Sequence, residues 1–157
     1  MHVIDNGPEP EVLDVYKIAS VNRNFRTTLW TGKHLQLTVM SIPPGGEVGM
    51  EIHKNTDQYI RVEQGTGMAV IKMCRGMEKQ QIYPGCGVFI PAGTYHNIVN
   101  CGRTPLKLSS VYAPPQHKPG TVHRTKADSD AEEYKNSKAN RCHTEDKFKL
   151  VPSYWVS

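Results

Sequence analysis

A chain of 157 residues is the size of one domain, long enough to bury roughly two-thirds of its unfolded surface. Its composition is globular, 38% hydrophobic and 22% charged, and the +4 charge forms neither a basic run nor an aromatic-interleaved stripe, which argues against nucleic acid. No apolar stretch approaches the ~20 residues that span a bilayer. The acidic, proline-broken start MHVIDNGPEPEVLD is no signal peptide, so a cytoplasmic protein with no membrane partner is expected. The cysteines at 74, 86, 101 and 142 make no CxxC pair and read as reduced thiols.

Along the first 120 residues, Gly and Pro cut the chain into short β-rich segments. The clearest are 34–42, ended by PPGG; 50–53; 58–63, ended by QGTG; and 68–73. Then come 80–83, 87–90, 96–99 and 106–112, separated by PG, PAG and NCG. Many short strands at this spacing predict an all-β sandwich or barrel, and helical periodicity is absent. After APPQHKPGT the character changes. Residues 127–139 read as one exposed helix with Asp128 or Ser129 as N-cap. The final FKLVPSYWVS reads as a tail covering a barrel edge or a neighbouring subunit, or alternatively as a recognition peptide.

Two stretches carry chemistry. In GMEIHKNTDQYIRVEQG, Glu51 and His53 are two residues apart, so on a strand both leave the same face. Gln58 follows a turn-like HKNTD, and a returning strand would bring its carbonyl oxygen opposite His53. Asp57 is the rival, since strand alternation cannot seat both inward. In GCGVFIPAGTYHNIVN, Pro91 and Gly93 make a turn and His96 opens the next segment.

Together these stretches resemble the two motifs of the cupin superfamily. The first motif has Gly45, Glu51, His53, Gln58 and Gly65 in its fixed places; the second has Gly85, Pro91, Gly93, His96 and Asn100. Nineteen residues lie between Gly65 and Gly85, room for the hairpin that links them. The resemblance covers about residues 30–115 and implies a cupin jelly-roll β-barrel, the double-stranded β-helix, over 15–115. Residues 1–14 then form an N-terminal segment and 116–157 a partly helical C-terminal extension. A homodimer is also implied.

Cupins typically hold a metal with three His and one Glu. Carried over, the four places are Glu51, His53, Gln58 and His96, with Glu for the first His and Gln for the usual Glu. One carboxylate is preserved, so one divalent ion (Zn, Mn, Fe, Ni or Co) is expected there. The same inventory occurs in type I phosphomannose isomerases, and the wording of the chain is similar to small mannose-6-phosphate-isomerase-like cupins. That resemblance implies an enzyme acting on a small sugar or hydroxy-carbonyl substrate, with the metal as Lewis acid. Tyr95, His117, His123 and Glu47 are the candidates for proton transfer. Lys107, Arg61 and Arg124 are candidate partners for an anionic substrate. A metal-dependent dioxygenase and a non-catalytic small-molecule-binding cupin are the alternatives.

Overall fold

The computed structural model describes residues 4–147 and divides after Thr125 into two units, each described by itself. In the first, a six-stranded antiparallel sheet has the order β6 (Gly87–Ile90), β3 (Asp57–Gln64), β8 (Leu106–Ala113), β2 (Gln36–Ile42), β1 (Arg26–Thr31) and β9 (Val122–His123). A second sheet has the order β5 (Gly76–Ile82), β4 (Gly67–Met73) and β7 (His96–Val99). The chain from 47 to 51 lies against β7 as an irregular edge, bridging Glu47 to Val99 and Glu51 to His96. The fold is the expected all-β jelly roll.

Side-chain alternation decides what faces the interior. The pairings Ile42↔Leu106, Met40↔Leu108 and Val62↔Leu108 put these apolar residues on one face, packed with Ala69 and Ile98 of the smaller sheet. Continued along the same strands, that face carries Thr38, Ser110, Gln36, Tyr112 and Gln58. The interior therefore grades from an apolar end to a polar end. A polar end inside a barrel is costly unless its groups are satisfied or used.

Four segments of this unit depart from the sequence reading. Helix α1 (Val15–Val21) is capped by Asp14, whose side chain accepts from the Lys17 amide. It seats Ile18 and Ala19 against Leu29 and Val39 on the sheet's outer side; seven residues are too few to show a period. Strands β1 and β9 were not read either. Conversely, 50–53 forms only the Glu51 bridge, not a strand. Residues 4–14 are anchored to the sheet: Asp5 accepts from Thr31 and the Gly120 amide, and Trp30 donates to the Glu9 carbonyl.

In the second unit, α2 (Lys126–Lys147) begins earlier and runs longer than 127–139. Asp128 therefore lies within its first turn, where its charge suits the helix dipole, and is not its cap. The expected tail FKLVPSYWVS lies outside the described residues. Cys74, Cys86 and Cys101 are free thiols. No helix among the described residues is long and apolar enough to cross a membrane.

Candidate metal centre

The motif residues around His96 act mainly as scaffold. Gly93 adopts φ +79°, a conformation that suits glycine, and closes a turn in which the Thr94 amide donates to the Pro91 carbonyl. The Gly93 amide donates to the His53 carbonyl, and the Glu51 and His96 backbones exchange hydrogen bonds of 2.9 and 3.0 Å. Glu51, His53 and His96 are thereby fixed to one another through the main chain. Gln58 arrives from the opposite sheet, on β3.

The side chains converge. Glu51 Oε1 lies 3.3 Å from both His53 Nε2 and His96 Nε2, and Gln58 Oε1 lies 3.0 Å from His96 Nε2. His96 Nδ1 is 2.8 Å from the Thr94 carbonyl, which can only accept, so Nδ1 carries a proton and Nε2 is the nitrogen that would ligate a metal. The Gln58 amide nitrogen donates to Ser110 Oγ at 2.9 Å, which turns its oxygen toward His96. Four potential ligand atoms thus converge at a buried site, His53 being 8%, Gln58 4% and His96 1% exposed.

Protons on the imidazoles, or a cation between the atoms, satisfy such a cluster. Two ligands about 2.1 Å from one ion, at angles of 90–109°, stand roughly 3.0–3.4 Å apart, the separations found here. The residues present fit a divalent ion. Burial raises the Glu51 carboxyl, but the His53 and His96 nitrogens and the charge of Arg26 outweigh it and hold the group well below the usual carboxylate range. Glu51 is ready to ligate.

The remaining candidates separate by position. Asp57 is exposed and accepts the Ala92 amide at 2.8 Å, so of the two rivals Gln58 is the one facing the cluster. Tyr95 is 51% exposed beside the buried His96 and stands outside the cluster. Glu47 is exposed and accepts from Asn97 at 2.6 Å. His117 stands edge-on to Tyr112, ring centroids 5.1 Å apart, and Tyr112 in turn is edge-on to His53 at 5.5 Å. Burial first, then the charge of Arg26, lowers His117 from 6.5 to about 3, so it is a neutral imidazole. His123 lies opposite Arg26 on β9.

The three proposed anion-binding cations are elsewhere. Arg61 pairs with Glu63 at 2.5 Å, and Lys107 donates to the Asn22 carbonyl and to Ser41 Oγ, both from strand positions alternating with the inward-facing ones. Burial and the neighbouring Arg23 lower the Lys107 ammonium. Arg124 is exposed at a separate cavity of about 320 Å³ that Arg23, Asn24 and Leu29 also line. Among the described residues, Arg26 is a cation on the inward face, 1% exposed, with Nη1 3.5 Å from His123 Nδ1. Sequence reading missed it because β1 itself was missed; the alternation of Arg26 and Thr28 in RTTLWT was the available signal.

The fold agrees with the comparisons. Residues 38–112 match the cupin domain family Cupin_2. YrkC of Bacillus subtilis is 48% identical over 133 residues, spanning 82% of this chain and 70% of that one. L612 of Acanthamoeba polyphaga mimivirus is 36% identical over 121 residues, spanning 76% and 75%. The crystal structure of BH2720 from Bacillus halodurans superposes with a TM-score of 0.79 at 46% identity, covering 82% of this chain and 99% of that one. The chain belongs to the cupin family, and carries a candidate metal site at Glu51, His53 and His96.

Proposed function

We propose that the chain is a metal-dependent cupin enzyme acting on a small sugar or hydroxy-carbonyl compound, with Glu51, His53, Gln58 and His96 holding one divalent ion. The observation that carries this reading is the orientation of Gln58: Ser110 holds its nitrogen, so its oxygen joins the buried cluster of potential ligand atoms. When bound, the ion supplies Lewis acidity that polarises a carbonyl oxygen. Thr94 and Ser110 fix His96 and Gln58, so the ligand set is preorganised. In this reading His117, neutral and edge-on to Tyr112, is the candidate to accept a proton from a bound molecule. Burial first, and the charge of Arg26 second, make it a weak base.

The test is metal content by mass spectrometry on untagged protein beside the double variant His53→Ala/His96→Ala. Near-stoichiometric divalent metal that disappears in the variant supports the reading; a wild-type chain that takes up none of the five ions refutes it. A second reading rests on the Glu51–His53–His96 trio alone, the two-His, one-carboxylate face used with open positions by non-haem iron oxygenases. Solvent-deuterium exchange into hydroxy-carbonyl compounds without oxygen favours isomerisation, whereas turnover that consumes oxygen favours the second reading.

A further inference from the structure

The candidate metal centre lies on the inner side of the larger sheet, and a cavity of about 320 Å³ lies on the outer side. Thr27 and Val39, paired across β1 and β2, line it, whereas the next pair, Thr28 and Thr38, faces the interior. Ile18 of α1 packs with Leu29 and Val39 into an apolar surface, to which Val122 of β9 adds. The volume is at the lower end of those that hold small molecules.

The charged part of the lining has one sign. Arg23, between α1 and β1, and Arg124, just after β9, both line the cavity, and no Asp or Glu does. The Phe25 amide donates to the Arg124 carbonyl at 3.2 Å, so the main chain ties the two arginine-bearing segments together. Among the described residues neither guanidinium has an ion-pair partner. The neighbouring amides are already engaged: Asn22 Nδ2 donates to the Asn24 carbonyl, Asn22 Oδ1 accepts the Asn24 amide, and Asn24 Nδ2 donates to Thr27 Oγ1. Lys107, not an arginine, meets the Asn22 carbonyl at the end of α1. Burial first, and the charge of Arg23 second, lower the Lys107 ammonium; a carboxylate beside Arg23 would have offset the second effect. The cavity therefore offers a ligand two guanidinium forks beside an apolar surface. Such forks match phosphate oxygens, and their two charges match a phosphate monoester, which carries about −1.5 to −2 near neutral pH.

We propose that this cavity binds a small phosphate monoester with an apolar body, its phosphate held by Arg23 and Arg124 and its body lying on Ile18, Leu29, Val39 and Val122. The site is independent of the metal reading. Arg124, a candidate anion partner from the sequence, meets its anion here and not at the metal centre.

The experiment is calorimetric titration of the full chain, stripped of metal on a chelating resin so that no ion can hold the phosphate. Phenyl phosphate is compared with inorganic phosphate, which lacks the apolar body, and with phenol, which lacks the charge. Phenyl phosphate should bind at least 10-fold tighter than either. Arg23→Gln and Arg124→Gln should each weaken it about 3- to 10-fold, and the double variant at least 10-fold. Both side chains are exposed, so Tm should stay at the wild-type value. Arg103→Gln removes an equal charge from an exposed position outside the cavity and should leave the affinity unchanged.

No binding of phenyl phosphate, equal binding of inorganic phosphate, or full affinity in the double variant would overturn the site. An equal loss in Arg103→Gln would also overturn it, because net charge alone would then explain the binding. Vesicles of phosphatidylcholine with phosphatidic acid should not displace phenyl phosphate; displacement would move the site from a free phosphate to a membrane surface and overturn the small-molecule assignment.

Discussion

Gln58 is the residue on which the ligand count turns, because its amide is useful only in one orientation. Ser110 sets that orientation from the neighbouring strand. Ser110→Ala should therefore weaken metal binding by about 10-fold or more, the lower end of what an outer partner of a ligand contributes. Gln58→Leu should weaken it at least as much, and Gln58→Glu should tighten it by adding a second carboxylate. Competition against a fluorescent chelator reads all three; unchanged affinity in Gln58→Leu would remove Gln58 from the ligand set. The four candidate positions were legible in the sequence because their spacing is tied to turns marked by Gly and Pro. Arg26 and Tyr112 were not, since a lone Arg or Tyr on a strand carries no spacing, and only the register shows that both face inward.

At the scale of elements, the motif glycines do two different jobs. Gly65 and Gly85 both sit at positive φ, +85° and +93°. A Cβ at Gly85 would meet nothing within 4 Å, whereas at Gly65 it would stand 2.8 Å from the Pro105 carbonyl oxygen. Gly85→Ala should then cost only the backbone strain, about 1–2 kcal/mol. Gly65→Ala adds a backbone clash and should cost about 3 kcal/mol or more. Urea denaturation of the two variants measures the difference, and equal costs would mean that the β3–β4 turn can shift. Asn100, which ends the second motif, donates to the Ile42 and Thr104 carbonyls and accepts the Gly102 amide, so it joins strand ends and ligates nothing here. The missed strand β1 has a physical cause. β1 presents Arg26 and Thr28 to the interior, so apolar alternation fails where the barrel is polar, and the rule breaks beside the candidate site.

Across the whole molecule, metal and pH act on the same barrel through separate groups. An ion that binds only the folded chain stabilises it by about 2.7 kcal/mol at a free concentration 100 times its dissociation constant. Chelation should therefore lower the Tm of the wild-type chain and leave His53→Ala/His96→Ala unmoved; equal shifts in both would place the ion elsewhere. The pH response is measured on chelated protein, with His117→Gln as the reference that isolates the contribution of His117. Its folded value is lowered to about 3 against 6.5 for an ordinary imidazole, so between these values the unfolded chain binds a proton that the native chain does not. Stability must rise with pH across that interval: the contribution is complete above about 6.5 and is lost progressively as the pH falls toward about 3. Asp5 acts in the same direction, but being a carboxyl lowered by its hydrogen bonds despite burial, it loses its contribution only at more acid pH. From pH 7 to 5, wild-type should lose about 1–2 kcal/mol more than His117→Gln, which has no proton to gain, given about 1.4 kcal/mol per pH unit for one proton. Urea unfolding of both at several pH values gives the two slopes. Parallel slopes would mean that His117 is accessible to protons in the native state, and its ring could not then be part of a closed, dry wall beside Tyr112.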